Sequence, residues 1–146
     1  MKKSLIVNKA GIIKANPNEV WKIITTPEYF DRWMLVPGKA RNPFGLGSKI
    51  EWIDENDVVY LTGEVIEFIP ARKLVISLED KSWKIKVAKG TVTYEFHLTK
   101  INEGTKVEFY LGDLSIDPEG QSWFDSYNSS DEISAINKLI ESRILD

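Results

Sequence analysis

Cysteine is absent from the 146 residues and histidine occurs once, at His97. Without thiols there can be no disulfide, no thiolate metal site and no cysteine nucleophile. With one imidazole, a zinc site built on several histidines is excluded, and a Ser-His-Asp triad would have to use His97. Basic charge is also scarce: the net charge is −3, where a nucleic-acid partner would want a cationic face to neutralise phosphates. No cofactor is expected.

Long apolar runs are missing too. Met1-Lys2-Lys3-Ser4-Leu5-Ile6-Val7 begins like a secretory leader, but Asn8 and Lys9 interrupt it and no small-residue cleavage site follows. No later stretch reaches the length of a membrane span. A cytoplasmic location without membrane insertion is therefore expected, and the Asn128-Ser129-Ser130 sequon should stay unmodified. At 42% hydrophobic and 28% charged, the composition is that of an ordinary globule, and one domain over 1–146 is expected.

What is present is a dense opening segment. After a strand that ends near Lys14, Asn16 is suited to cap a helix and Pro17 to occupy its first position, where no backbone donor is lost. Val20, Trp21 and Ile24 recur at helical spacing, so one face is apolar. Pro27 stops this helix near Thr25 and Thr26, and Thr26 is placed to cap a second short helix through Tyr29, Phe30, Trp33 and Met34. Trp21 is expected in the core, and Trp33 at the end of the bent pair.

The middle of the chain alternates with period two. Strands are expected at Ser48 to Asp54, Val58 to Phe68, Leu74 to Leu78, Thr91 to Thr99 and Thr105 to Leu111. The acidic stretch Asp54-Glu55-Asn56-Asp57 is a hairpin turn in this reading, because the glycine and the distant glutamate of a calcium loop are missing. Gly63 predicts a bulge or a close neighbour. Strand parity puts Tyr94 and Phe96 on the apolar face and His97 on the opposite one. Lys81 to Lys89, with four lysines around Trp83, fits the solvated face of a strand or a binding patch.

Asp117-Pro118-Glu119 marks a helix start, with Trp123, Phe124 and Tyr127 following. Ser129 with Glu132 forms a possible second capping box, so either one long helix or two pieces carry Ile133, Ile136, Ile140 and Ile144. That apolar stripe must cover the sheet.

The order and spacing of these segments resemble a known family. Ala15-Asn16-Pro17-Asn18-Glu19-Val20-Trp21 is similar to an "Ala-x-Pro-x-x-Val-Trp" entry, continued by Pro27 to Trp33. Gly63 to Leu74 is similar to a "Gly-x-Val-x-x-x-x-Pro-x-x-x-Leu" strand pair. Thr91 to Phe96, followed by Gly104-Thr105-Lys106-Val107, is similar to a "Val-Thr … Gly-Thr" hairpin. Together they resemble the START-like (SRPBCC) superfamily, in the branch of homologues of the heat-shock chaperone ATPase activator.

The resemblance implies an α+β helix-grip fold: a curved antiparallel sheet of about six to seven strands around a long C-terminal helix, with two short helices after the first strand. It also implies an apolar cavity for lipids, polyketide-like compounds or other greasy molecules. The family's usual "Gly-Trp … Leu … Leu" helix is matched only loosely by Trp123 to Ile144.

Two functions from different classes follow. One is non-catalytic binding of a small hydrophobic or amphipathic ligand, with Trp52, Tyr94, Phe96 and Phe109 from the sheet and Trp33, Trp123 and Tyr127 from the helices as its walls. Arg41 and Glu51 are candidates for its mouth, and finding no void above about 300 Å³ beneath the C-terminal helix would count heavily against this reading. The other is a protein-interaction module, in which Trp33 or the Lys81 to Lys89 segment contacts a chaperone or another protein, the chain being a monomer or weak homodimer. A cyclase- or hydrolase-like enzyme using a cavity carboxylate or tyrosine is a third, weaker alternative, since no two carboxylates visibly converge in an apolar pocket.

Overall fold

A computed structural model describes residues 4–36, 38–40, 44–80, 83 and 87–145, and the side chains among these up to residue 142. The described residues contain six strands: β1 (Val7–Ile13), β2 (Lys49–Ile53), β3 (Val59–Ile69), β4 (Lys73–Asp80), β5 (Thr93–Ile101) and β6 (Gly104–Gly112). The last five form a meander of consecutive antiparallel hairpins, and β1 returns to pair with β6, giving the order β1-β6-β5-β4-β3-β2. The sheet is open, with β1 and β2 at its edges. Lys39 makes a bridge to Glu51 outside β2.

The turns follow from local chemistry. Asp54 Oδ1 accepts from the backbone N–H groups of Asn56 (2.8 Å) and Val58 (3.0 Å), so the acidic stretch is a side-chain-closed hairpin. Gly63 is where two strands' side chains crowd the backbone: a Cβ there would lie 2.6 Å from Ile76 Cγ2 and 2.9 Å from Ile50 Cγ2. The register shift in β3 comes later, between Val65 and Glu67.

Helix α1 (Pro17–Thr25) begins as its sequence dictates, with Asn16 accepting from the Glu19 N–H at 3.0 Å. A 3₁₀ turn (Pro27–Tyr29) and the single-turn α2 (Phe30–Trp33) follow. Thr26 makes no side-chain cap; the Thr25 hydroxyl instead donates to the Trp21 carbonyl at 2.8 Å. The C-terminal helix is divided rather than long. Helix α3 (Gly120–Ser129) ends at Ser130, and α4 (Glu132–Leu145) restarts two residues on. The new cap is Asp131, whose Oδ1 takes the Ser134 N–H at 2.9 Å, rather than Ser129. Asp117 closes a turn by accepting from the Glu119 N–H at 2.7 Å, so α3 starts only at Gly120.

Helix α4 carries the main cover of the concave face. Ile133, Ile136 and Ile140 are buried and α4 packs on α1, α2 and β1. At about 2 kcal/mol per buried aliphatic side chain, this stripe outweighs any cap. Approach is close enough that a Cβ on Gly11 would lie 2.9 Å from Ile133 Cγ2. The side chain of Ile144 lies outside the described residues.

Candidate functional site

A ladder of aromatic rings runs along the concave face. Trp33 stands edge-on to Phe96 with centroids 5.4 Å apart, Phe96 meets Phe109 at 5.1 Å, and Phe109 meets Tyr94 at 5.0 Å. From there Trp52 lies 6.3 Å from Tyr94, Tyr127 lies over Phe109 at 6.4 Å, and Trp123 follows at 6.3 Å. The two ends of this ladder differ in what surrounds them.

At the α2 end the rings are sealed. Trp33 is 3% exposed, wedged between Phe30 and Phe96, and its indole N–H donates to the Ile23 carbonyl at 3.2 Å. The turn at Pro27 folds α2 back onto the sheet, so Trp33 is a core residue and offers no surface to a partner. Phe96 and Phe109 are likewise fully buried.

At the α3 end a crevice opens between the sheet and the helix, with a volume of about 40 Å³. Trp52, Tyr94, Trp123 and Tyr127 line it. It is far smaller than the 300 Å³ or so of a ligand-sized cavity, so the criterion set for the binding reading is not met by the crevice as it stands. Among the further wall residues are Tyr60, Trp83 and Asp117, which sequence reasoning did not assign to the cavity. Trp83 sits among the lysines expected to be a strand face, yet its indole N–H reaches Asp117 Oδ2 at 2.8 Å. Residues 81–82 and 84–86 of that segment, and Arg41, lie outside the described residues.

The phenols of the crevice are unusual. Tyr94 and Tyr127 are 3% and 7% exposed. Burial first, then the neighbouring phenol, then Glu132 push the Tyr94 hydroxyl well above the usual phenol range. Burial, then Glu132, then Tyr60 push Tyr127 up likewise. For Tyr60 the causes are burial, then Asp80 and Asp54. Neither Tyr94 nor Tyr127 gives its proton to a hydrogen-bond partner among the described residues. Both phenols are thus held neutral in the wall of the crevice.

Glu132 stands behind them at the α3–α4 break, 2% exposed. Its Oε1 accepts from the Ser130 hydroxyl at 2.6 Å. Its Oε2 lies 3.6 Å from Lys9 Nζ, near enough for an ion pair but without a hydrogen bond. Lys9 is an inward-pointing lysine on edge strand β1, and its ammonium donates to the Ser130 carbonyl and, at 3.2 Å, to the Ser130 hydroxyl. A cation at the end of α3 complements its carbonyls and helix dipole. An inward charge also discourages edge-to-edge pairing. In the sequence Lys9 reads only as an interruption of a leader; the parity of Val7, Lys9, Gly11 and Ile13 was the signal that places it inside.

The outer face holds the remaining candidates. His97 faces outward, its Nε2 2.8 Å from Glu95 Oε1 and its ring edge-on to Tyr110. A larger trough of about 1060 Å³ crosses the outside of β2, β3 and β4. It is walled by Lys39, Lys49 and Lys89 against Glu51, Glu64 and Glu79, with Lys89 and Glu64 paired at 2.8 Å. Glu51 belongs to this solvated trough and not to the mouth of the crevice. Among the described residues there is no cluster of carboxylates and imidazole that could hold a metal ion, and no helix long and apolar enough to cross a membrane.

The open sheet gripping a C-terminal helical segment defines a START-like α+β domain of the helix-grip type. The chain belongs to the family described as Activator of Hsp90 ATPase homolog 1-like protein, which matches it over residues 14–127. Among solved structures it is similar to ChR145 from Cytophaga hutchinsonii, at 20% identity, with 100% of each chain covered and a TM-score of 0.71. It is also similar to the Aha1 dimer from Colwellia psychrerythraea, at 17% identity over 96% of this chain and 90% of that one, with a TM-score of 0.57. DynU16, from the dynemicin biosynthetic locus, is 17% identical over 95% of this chain and 48% of that one, with a TM-score of 0.67. No curated protein matches the chain.

Proposed function

We propose that the domain binds a small amphipathic molecule, without transforming it, in the crevice beneath α3. The observation that carries this reading is the crevice itself, an open space of about 40 Å³ around which Tyr94 and Tyr127 meet Trp52, Trp83 and Trp123. An occupant would set a compact head among these rings and lay its apolar part against Trp123 and Trp83.

The small volume defines how a ligand enters. Helix α3 buries only Gly120 and Tyr127, so it is held far less firmly than α4, and outward movement of Trp123 enlarges the crevice at low cost. Catalysis has no comparable support, because His97 lies on the other face of the sheet and Glu132 is committed to Ser130 and Lys9.

Native mass spectrometry of the purified protein should show a retained small molecule or uptake of the neutral probe N-phenyl-1-naphthylamine. Trp123→Ala should weaken that uptake several-fold while the thermal midpoint stays within a few degrees. Uptake that ignores both Trp123→Ala and Tyr94→Phe would place the probe elsewhere and end this reading.

A further inference from the structure

The crevice has a chemical bias that the binding reading does not itself specify. At about 10–15 Å³ per water-sized atom, a void of about 40 Å³ admits a group of about three or four heavy atoms. What is recognised there is a compact head, not a whole molecule. Six aromatic side chains surround it: Trp52, Trp83 and Trp123 with Tyr60, Tyr94 and Tyr127. Aromatic faces are negative and attract cations, indole most strongly.

The charges agree with the rings. Asp117 lines the crevice, whereas none of its described wall residues is a lysine or arginine. Asp117 takes its hydrogen bonds from neutral donors, the Trp83 indole and the Glu119 backbone, so these leave its negative charge in place. Glu132 stands behind the two phenols with its charge balanced by Lys9 at the far side. An anionic head entering this site loses its hydration and meets the Asp117 carboxylate. A neutral head gains only apolar contact and the phenol hydrogen bonds. An alkylated ammonium gains aromatic faces, the Asp117 carboxylate and phenol oxygens together.

Resting on the binding reading above, we infer that the crevice selects the alkylated ammonium head of an amphipathic small molecule over neutral and anionic heads. A phosphate next to that ammonium would meet the same carboxylate, so the geometry favours a simple organic cation over a phosphocholine headgroup.

Four probes with one tail test this: hexyltrimethylammonium, hexan-1-ol, hexanoate and hexylphosphocholine, titrated against the full chain and followed by the tryptophan indole N–H resonances. Hexyltrimethylammonium should bind about tenfold more tightly than hexan-1-ol, with hexanoate weakest and hexylphosphocholine weaker than the simple cation. Trp123→Leu and Asp117→Asn should each narrow the cation-to-alcohol ratio several-fold. Equal binding of cation and alcohol, or tighter binding of hexanoate, overturns the inference and leaves apolar binding standing. Hexylphosphocholine binding as tightly as the simple cation overturns it in favour of a lipid headgroup. If none of the four binds to wild-type protein, the binding reading fails and the inference with it.

Discussion

Helices α3 and α4 are neighbours in the chain and cover the same concave sheet, but they are held in different ways. Helix α4 drives Ile133, Ile136 and Ile140 into the core and closes on Gly11. Helix α3 buries one side chain of size, Tyr127, and leaves Trp123 and Phe124 partly exposed. Stability in this fold is concentrated under α4, and the capacity to accommodate something else lies under α3. The Lys9–Ser130–Glu132 cluster marks the border between the two.

Breaking that border should have the largest effect. Lys9→Met leaves the Glu132 carboxylate buried without its cation and should cost about 3–5 kcal/mol, measured by urea denaturation. The double variant Lys9→Met/Glu132→Leu should recover most of that loss; no recovery would mean that the ion pair is not the source. Next comes the α4 side of the comparison. Ile136→Ala should cost about 2–5 kcal/mol, whereas Trp123→Ala on α3 should cost well below that. Comparable losses at the two positions would show that α3 is as firmly anchored as α4.

A titration sharpens the comparison further. The Tyr94 and Tyr127 phenols are raised above the ordinary phenol value, so the folded state holds protons that the unfolded state releases. Their contribution is fully present below pH ~10 and is lost as pH rises from there toward the folded values. Ultraviolet absorbance of phenolate should therefore show two of the five tyrosines ionising only as the protein unfolds in alkali. Early, reversible ionisation of all five would contradict the enclosed phenols. The smallest expected effect is at the other end of the chain, where Asn16→Ala should cost about 1 kcal/mol through the lost cap, without altering amide exchange in α3.

Much of the architecture was legible because it rests on local rules. Pro17 after Asn16, the break at Pro27, the period-two runs and the acidic turn each have a near-neighbour cause, and each appears at or close to its expected place. Near misses also have local causes. Asp131 outcompetes Ser129 as the cap because its carboxylate reaches the Ser134 N–H. The candidate site was less legible. Alternation places Trp52, Tyr94, Phe96 and Phe109 on one face, yet it cannot tell which rings pack against others and which meet space. That depends on where α2 and α3 land. Trp83 and Asp117 are far apart in sequence and meet only through the fold.

By itself, then, the sequence determined the order of elements, the helix starts and the aromatic side of the sheet, since propensity, capping and periodicity act between near neighbours. Tertiary structure alone decided that Trp33 is sealed while Trp123 stands at a crevice, and that Lys9 on the first strand meets Glu132 on the last helix. Burial, desolvation and ion pairing depend on what lies across the core, and no window of sequence contains both partners.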